Sequence, residues 1–205
     1  MAALARGRRV LLVDADPQGT VCTWGDVARE NGHPIPTVVP MGATMHSPGQ
    51  LPAFAPTYDL TIIDCPPRHG EISRSALMVA DVAVLPCGPT AADAWALASA
   101  VDVFQQARAV RESLRGCILI TRKQGRTALG RSARGVLETS GLPVLKAELG
   151  YRVAYQEALA TGQGVTSYSP RDAAAREMSH LLTELETFVH GQEASRGFIA
   201  EAAVA

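Results

Sequence analysis

Val10-Leu11-Leu12-Val13-Asp14-Ala15-Asp16-Pro17-Gln18-Gly19 is a short apolar run ending in two carboxylates and a turn, and Leu60-Thr61-Ile62-Ile63-Asp64-Cys65-Pro66-Pro67 repeats the pattern with one acid. Runs this rich in Val, Ile and Leu, without clean alternation, read as strands buried on both faces. In open α/β sheets ligands sit at the carboxyl ends of the strands, so Asp14, Asp16 and Asp64 belong at a crevice and not in the core. An unpartnered buried carboxylate is costly, and three together point to a cation or a hydrogen-bonded water network. Magnesium is the natural candidate, because it takes a few carboxylates and retains waters and phosphate oxygens. Taken singly, each of these acids also reads as a helix N-cap.

Working outward, further strands are expected at Val82 to Pro86, Gly116 to Thr121 and Leu142 to Ala147, with the first two at Arg9 to Val13 and Leu60 to Asp64. Helical patterns separate them, at Thr20 to Asn31, Ile72 to Ala80, Ala91 to Arg115, Ala128 to Ser140, Val153 to Thr161 and Pro170 to His190. This alternation indicates βα units, a mostly parallel sheet and helices on both faces. The Pro- and Gly-rich segment from Gly32 to Pro56 is expected to cover one sheet edge as loop with a short strand. Residues 1–190 read as one α/β domain, and the lapse of apolar spacing from Gly191 reads as a flexible tail, 191–205.

With 205 residues, the chain can bury one sizeable core. A net charge of −1 and a pI near 6.5 exclude bulk charge as a reason for nucleic acid or membrane binding, so any basic surface is local. Cys22, Cys65, Cys87 and Cys117 are scattered without C-x-x-C pairing, as befits small hydrophobes in a reducing cytosol. No apolar stretch approaches membrane-spanning length, so a cytoplasmic protein without membrane partners is expected. His33, His46, His69, His180 and His190 lack zinc-site spacing, and Ser73 and Ser75 lack a nucleophile-elbow setting.

The segment Arg8 to Thr20, with its D-x-D-P-Q pattern at Asp14 to Gln18, resembles the region after the first helix in the ParA/MinD family of deviant Walker A partition ATPases. Tyr58 to Pro67 is similar to the Walker B strand of that family. Ala80 to Pro86, followed by Pro89-Thr90-Ala91-Ala92-Asp93, resembles the strand and proline-containing interface loop of the short ParA type. Ile118-Leu119-Ile120-Thr121-Arg122-Lys123 resembles the strand leading to the adenine-side loop. The resemblance covers Ala2 to His190 and implies a P-loop NTPase-like fold of the ParA/MinD (SIMIBI) type. By position it implies that Asp16 orients the attacking water, that Asp14 and Asp64 hold magnesium through water, and that Pro17, Gln18, Thr121 and Arg122 border the nucleotide. ATP and Mg2+ are the implied cofactors. A homodimer, nonspecific DNA and a ParB-like or other adaptor are the implied partners, at a nucleoid-associated location.

Scanning for G-x-x-x-x-G-K-[ST] finds nothing, and the lysines, Lys123 and Lys146, stand far downstream of where such a loop belongs. Family members open with a strand, the phosphate loop and a helix ending in a pattern like Ala2 to Arg9. The resemblance therefore implies that a first strand and P-loop of roughly 25 to 30 residues are missing ahead of Met1. A misplaced start or truncated gene is the expected reason, since losing a central strand leaves two neighbours with unpaired backbone. Without the loop's amides and lysines, three carboxylates repel a triphosphate, so the chain's own ATPase activity stays open.

Arg122, Lys123, Arg126, Arg131 and Arg134 form the densest basic stretch. Two readings stand for it: a patch on DNA phosphates, as the resemblance implies, or a solvated loop and helix face. Arg152 is a weaker candidate. Trp24 and Trp95 read as core or dimer packing. The alternatives to a partition or cargo-positioning ATPase are a nonhydrolytic interaction or regulatory module on the same scaffold, and a relative of cobyrinic acid a,c-diamide synthase.

Overall fold

The computed structural model describes residues 1–67, 70–124, 134–190 and 198–203. Seven strands form one parallel sheet: β1 Val10–Asp14, β2 Thr37–Pro40, β3 Leu60–Cys65, β4 Val82–Cys87, β5 Arg115–Lys123, β6 Val144–Gly150 and β7 Phe198–Ala203. Their spatial order is β2-β1-β3-β7-β4-β5-β6. The helices are α1 Ala2–Ala5, α2 Thr20–Glu30, α3 Leu51–Phe54, α4 Glu71–Leu77, α5 Ala91–Val110, α6 Val153–Ala160, α7 Val165–Tyr168 and α8 Ala173–His190.

Both faces of the sheet are covered, which is why the strand sequences are continuously apolar. On one face Leu11, Val13 and Ile63 pack with Met45, Leu51 and Ala76, while Leu85, Ile118 and Ile120 pack with Leu97, Ala100 and Phe104 of α5. On the other, Val10 and Leu60 meet Leu182, and Val82, Val84 and Cys117 meet Leu181, both leucines from α8. The free edge of β6 is protected by α8. Glu184 accepts from the backbone N–H groups of Lys146 and Ala147, and Glu177 from that of Gly150. Carboxylates seated on an exposed edge remove the template for strand addition.

Strand and helix positions agree with the sequence reading to within a few residues, with three differences. The helix expected to reach Arg115 ends at Val110. There the Arg111 guanidinium bonds the carbonyls of Leu77 and Ala80 and the Asp81 carboxylate, pulling the chain off the helix axis into β5. Of the helix expected at Ala128 to Ser140, residues 128–133 lie outside the described residues; 134–137 are helical and continue into a 3-10 turn, Glu138–Ser140.

The third difference concerns the tail. Residues 198–203, expected to be frayed, form a central strand paired in parallel with both β3 and β4. The physical reason is the gap itself: two inner strands, buried on both faces, leave a row of backbone groups to satisfy, and any extended segment that reaches them gains a full ladder. Between Gly32 and Pro56 the expected short strand is present as β2, on the sheet edge beside β1.

Candidate functional site

Because β1 and β3 are parallel and in register from Val10↔Leu60 to Asp14↔Asp64, the two strand-end acids are direct neighbours, about 4.8 Å apart in strand spacing. Asp14 is buried, with 2% of its surface exposed. Its Oδ2 accepts from the backbone N–H of Cys22 at 2.8 Å, in the first turn of α2. Asp14 is not the N-cap of α2, which is Gly19, but from β1 this oxygen satisfies an N–H of the helix's first turn. Oδ1 is equally buried and has no partner among the described residues.

Asp16 also has a local task. Asp16-Pro17-Gln18-Gly19 is a β-turn closed by Gly19 N–H to the Asp16 carbonyl at 2.9 Å, with proline and glycine where such turns favour them. Oδ1 of Asp16 accepts from the Gln18 N–H at 2.9 Å. Gly19 then takes φ +66°, a left-handed conformation suited to glycine, and starts α2. A crevice of about 580 Å³ opens here, lined by Asp14, Asp16, Pro17, Gly19, Cys22 and Met41 among others.

The acids act on one another electrostatically. Burial, then the charges of Asp14 and Asp16, push the Asp64 carboxyl up to about 6. Three carboxylates held together at neutral pH are thus an unneutralised negative site, which a divalent cation relieves. The orphaned Oδ1 of Asp14 and the raised Asp64 both fit magnesium held through its waters. Among the described residues no group of three or more His, Cys, Asp or Glu is placed to hold a metal, so the protein would supply one or two carboxylates and water the rest. The described crevice lining carries no lysine or arginine, so it does not by itself form a triphosphate cradle.

Thr121 and Arg122 lie at the carboxyl end of β5, on the same sheet edge. Arg122 adopts φ +53° and its guanidinium bonds Asp93 Oδ1 at 2.7 Å. Asp93 closes a capping box with Thr90 at the start of α5, giving the Pro89 to Asp93 segment a helix-start role that its T-x-x-D spacing already encodes. Although burial opposes it, the bonds from Thr90 and Arg122 hold the Asp93 carboxyl below its usual value.

Of the basic stretch, Lys123 and Arg134 both bond Glu148, the latter at 2.8 Å, and Arg122 bonds Asp93. Arg126 and Arg131 lie outside the described residues. Arg152 is held by Glu177 at 2.5 Å, next to Tyr155. Trp24 packs half-buried and donates to the Gln163 carbonyl at 3.3 Å. Trp95 is 76% exposed on the wall of an apolar groove between α5 and residues 136–140, so the core reading fails for it. None of the four cysteines is in a disulfide, and burial pushes the thiols of Cys87 and Cys117 up to about 11 and about 12, which suits small hydrophobes and not nucleophiles. The sequence reading missed Glu148 and Glu177, whose roles depend on contacts across the sheet and carry no local motif.

With this geometry in view, the comparisons define the class. The family described as the CobQ/CobB/MinD/ParA nucleotide binding domain matches residues 1–165, and the chain belongs to it. It is 30% identical to the maintenance of carboxysome distribution protein A of Halothiobacillus neapolitanus, over 90% of this chain and 86% of that one. It is 28% identical to the chromosome-partitioning ATPase Soj of Thermus thermophilus, again over 90% of this chain and 86% of the relative. Among solved structures, the cell division ATPase MinD of Pyrococcus furiosus superposes with a TM-score of 0.70 at 20% identity, over 91% of this chain and 89% of that one. MinD of Pyrococcus horikoshii complexed with Mg-ADP gives 0.69 at 18%, over 95% and 90%. At such identity the structural likeness speaks for the fold, a P-loop NTPase-like α/β sheet. No described helix is long and apolar enough to cross a membrane.

Proposed function

We propose that this chain is a ParA-type cargo-positioning or partition protein whose strand-end acids serve a Mg-ATP site. The observation that carries the reading is the buried Oδ1 of Asp14, without a partner among the described residues, beside Asp64 at the carboxyl ends of adjacent parallel strands. The relatedness to carboxysome-distribution and chromosome-partitioning proteins supports the class of task. Bound magnesium supplies charge neutralisation for phosphate oxygens. Asp14 and Asp64 would hold it through its waters, and the second oxygen of Asp16 would accept a hydrogen bond from the attacking water and orient it. Thr121 and Arg122 border the base from the end of β5. An ATP-dependent homodimer binds random duplex DNA through Arg122, Lys123, Arg126, Arg131 and Arg134, at a nucleoid-associated location, and a ParB-like or other adaptor stimulates turnover.

A second reading, a nonhydrolytic interaction module on the same scaffold, is favoured by one observation: the described crevice lining holds carboxylates and no cationic side chain. Thermal melts with Mg-ATP, followed by phosphate release with and without random duplex DNA, separate the two. A ligand that binds the native state raises the midpoint. A raised midpoint with DNA-stimulated release supports the ATPase, and a raised midpoint without release supports the module. An unmoved midpoint defeats the nucleotide reading altogether.

A further inference from the structure

Among the described residues Arg122 is the one non-glycine with a positive φ, +53°, and it stands at the carboxyl end of β5. Left-handed backbone is costly for a side chain of this size, and residues held there collect at ligand clamps and switch regions. The ladder shows what the conformation does. Between Ile120 and Lys123 β5 advances by three residues, while β6 advances by two, from Glu148 to Gly150. One residue of β5 is therefore extra, and the left-handed Arg122 supplies the kink of a β-bulge.

Strand parity fixes the consequence for Lys123. Ile118 and Ile120 pack with Leu97, Phe104 and Leu137 on the α5 face, whereas Cys117 and Leu119 pack with Leu145 and Leu181 on the α8 face. In an uninterrupted strand Lys123 would follow Leu119 onto the α8 face. The extra residue sets it opposite Gly150 instead, on the side of Glu148, where its Nζ bonds that carboxylate beside Arg134. A slip of one residue exchanges the faces of everything beyond it. What holds the bulge is an ion pair with α5. The Arg122 guanidinium meets Asp93 Oδ1 at 2.7 Å, and Asp93 Oδ2 accepts from the Thr90 N–H at 3.0 Å and from its hydroxyl at 2.5 Å. Gly88 leaves room for the pair, since a Cβ there falls 2.8 Å from the guanidinium and closer still to the carboxylate. With 55% of the Arg122 side chain exposed, the pair is open to competition by an anion.

We propose that Arg122 is a backbone switch that regulates the basic stretch. Paired with Asp93, it keeps the bulge and holds Lys123 on Glu148. A phosphodiester oxygen that takes the guanidinium lets residue 122 become extended, which dissolves the bulge and turns Lys123 to the α8 side, away from Glu148. A duplex lying across the strand ends then meets Arg122 and Lys123 together, so the first phosphate contact creates the second. The ligand rests on the DNA reading above, whereas the switch rests on register and on the pairing of Arg122 with Asp93.

Two substitutions that remove the guanidinium and differ in backbone preference test it. Glycine accepts the left-handed state without strain, so in Arg122→Gly the bulge stays, supported by the Lys123 bond to Glu148 and by the Tyr151 N–H on the Lys123 carbonyl at 3.0 Å. Valine resists that state, so Arg122→Val relaxes. The lysines of the chain are Lys123 and Lys146, and Lys146 is exposed, which gives amine acetylation read by mass spectrometry an internal reference. Lys123 labels more slowly than Lys146 in the unsubstituted chain and in Arg122→Gly, and its rate rises by roughly threefold in Arg122→Val. Equal Lys123 rates in the glycine and valine variants overturn the switch. Fluorescence anisotropy with random duplex DNA at several salt concentrations reads the ligand. Relative to the unsubstituted chain, Arg122→Gly lowers the log–log salt slope by about two units, because Lys123 stays on Glu148, and Arg122→Val lowers it by about one. Equal slopes beside unequal labelling rates overturn phosphate as the trigger. Absence of binding in all three proteins defeats the DNA reading, and the labelling comparison then decides the switch by itself. Should Arg122→Val fail to fold, Arg122→Thr takes its place.

Discussion

Asp14 on β1 and Asp64 on β3 are register partners, and they divide the strand-end charge unequally: Asp14 is buried with one oxygen bonded to α2, while Asp64 is half-buried and held up to about 6. Parallel pairing in this register forces the two carboxyls together, and Asp16 adds a third charge from the following turn. The cost of that assembly falls on folding stability, and its relief falls to whatever cation the crevice admits.

Replacing Asp64 by asparagine tests the cost. The folded-state value, raised from 3.8 to about 6, means that the folded protein keeps a proton the unfolded chain releases. Stability contributed by this group is therefore lost as pH rises from about 4 to about 6. Allowing for partial exposure, the loss amounts to about 2 kcal/mol at most. Melting curves of Asp64→Asn and the unsubstituted chain should coincide near pH 4 and diverge by roughly 5 °C above pH 6.5. Parallel curves across this range contradict the coupling.

Magnesium acts in the opposite direction. At pH 7 and in the absence of nucleotide, millimolar Mg2+ should raise the melting midpoint of the unsubstituted chain, whereas calcium-free potassium chloride of equal ionic strength should not. Asp14→Asn and Asp64→Asn should each reduce the magnesium response. An equal response in all three proteins places the cation elsewhere.

Two substitutions of Asp14 separate its roles. Asp14→Asn retains a carbonyl oxygen for the Cys22 N–H and removes the charge, so stability at pH 7 should stay level or rise. Asp14→Ala loses the bond to α2 and should cost about 1 kcal/mol in urea denaturation. Equal losses in both variants would mean that charge, and not capping, holds the start of α2.

Glu148 is shared by Lys123 and Arg134, and their bonds more than reverse the upward push of burial on its carboxyl. If the basic stretch contacts DNA, Glu148 competes with phosphate for both cations. Glu148→Gln should then tighten binding to random duplex at low salt and steepen the salt dependence by about one unit of log–log slope. Arg134→Glu should do the reverse. Titrations by fluorescence anisotropy at several salt concentrations check both, and unchanged slopes count against the patch.

Gly116 at the start of β5 is a packing requirement. A Cβ built there falls 2.6 Å from the Phe104 ring of α5, itself buried. Gly116→Ala should destabilise by about 1 to 3 kcal/mol. Phe104→Leu in the same chain should recover part of the loss, as a chemical denaturation midpoint would show.

The order and type of most elements were legible because both-face burial writes itself into composition. Val-, Ile- and Leu-rich runs ending in Asp14 and Asp64, each followed by a helical period, leave little freedom in the fold. The convergence of those acids on one edge follows from parallel strands alone. Less was legible at the site. The turn task of Asp16 is written in D-P-Q-G, but the bond of Asp14 to the first turn of α2, and so which oxygen remains without a partner, depends on where that turn falls. The pairing of Lys123 and Arg134 with Glu148, and of Arg122 with Asp93, depends on strand order and carries no sequence signal.

The sequence by itself determined the sheet, its helical cover and the acidic edge, since local burial patterns and turn chemistry act over a few residues. Only the tertiary structure decided what fills the middle of the sheet. Phe198 to Ala203 has the composition of a tail, and it becomes a strand because β3 and β4 each present it a row of backbone groups. Hydrogen-bond demand of that kind belongs to the assembled fold and not to the segment that meets it.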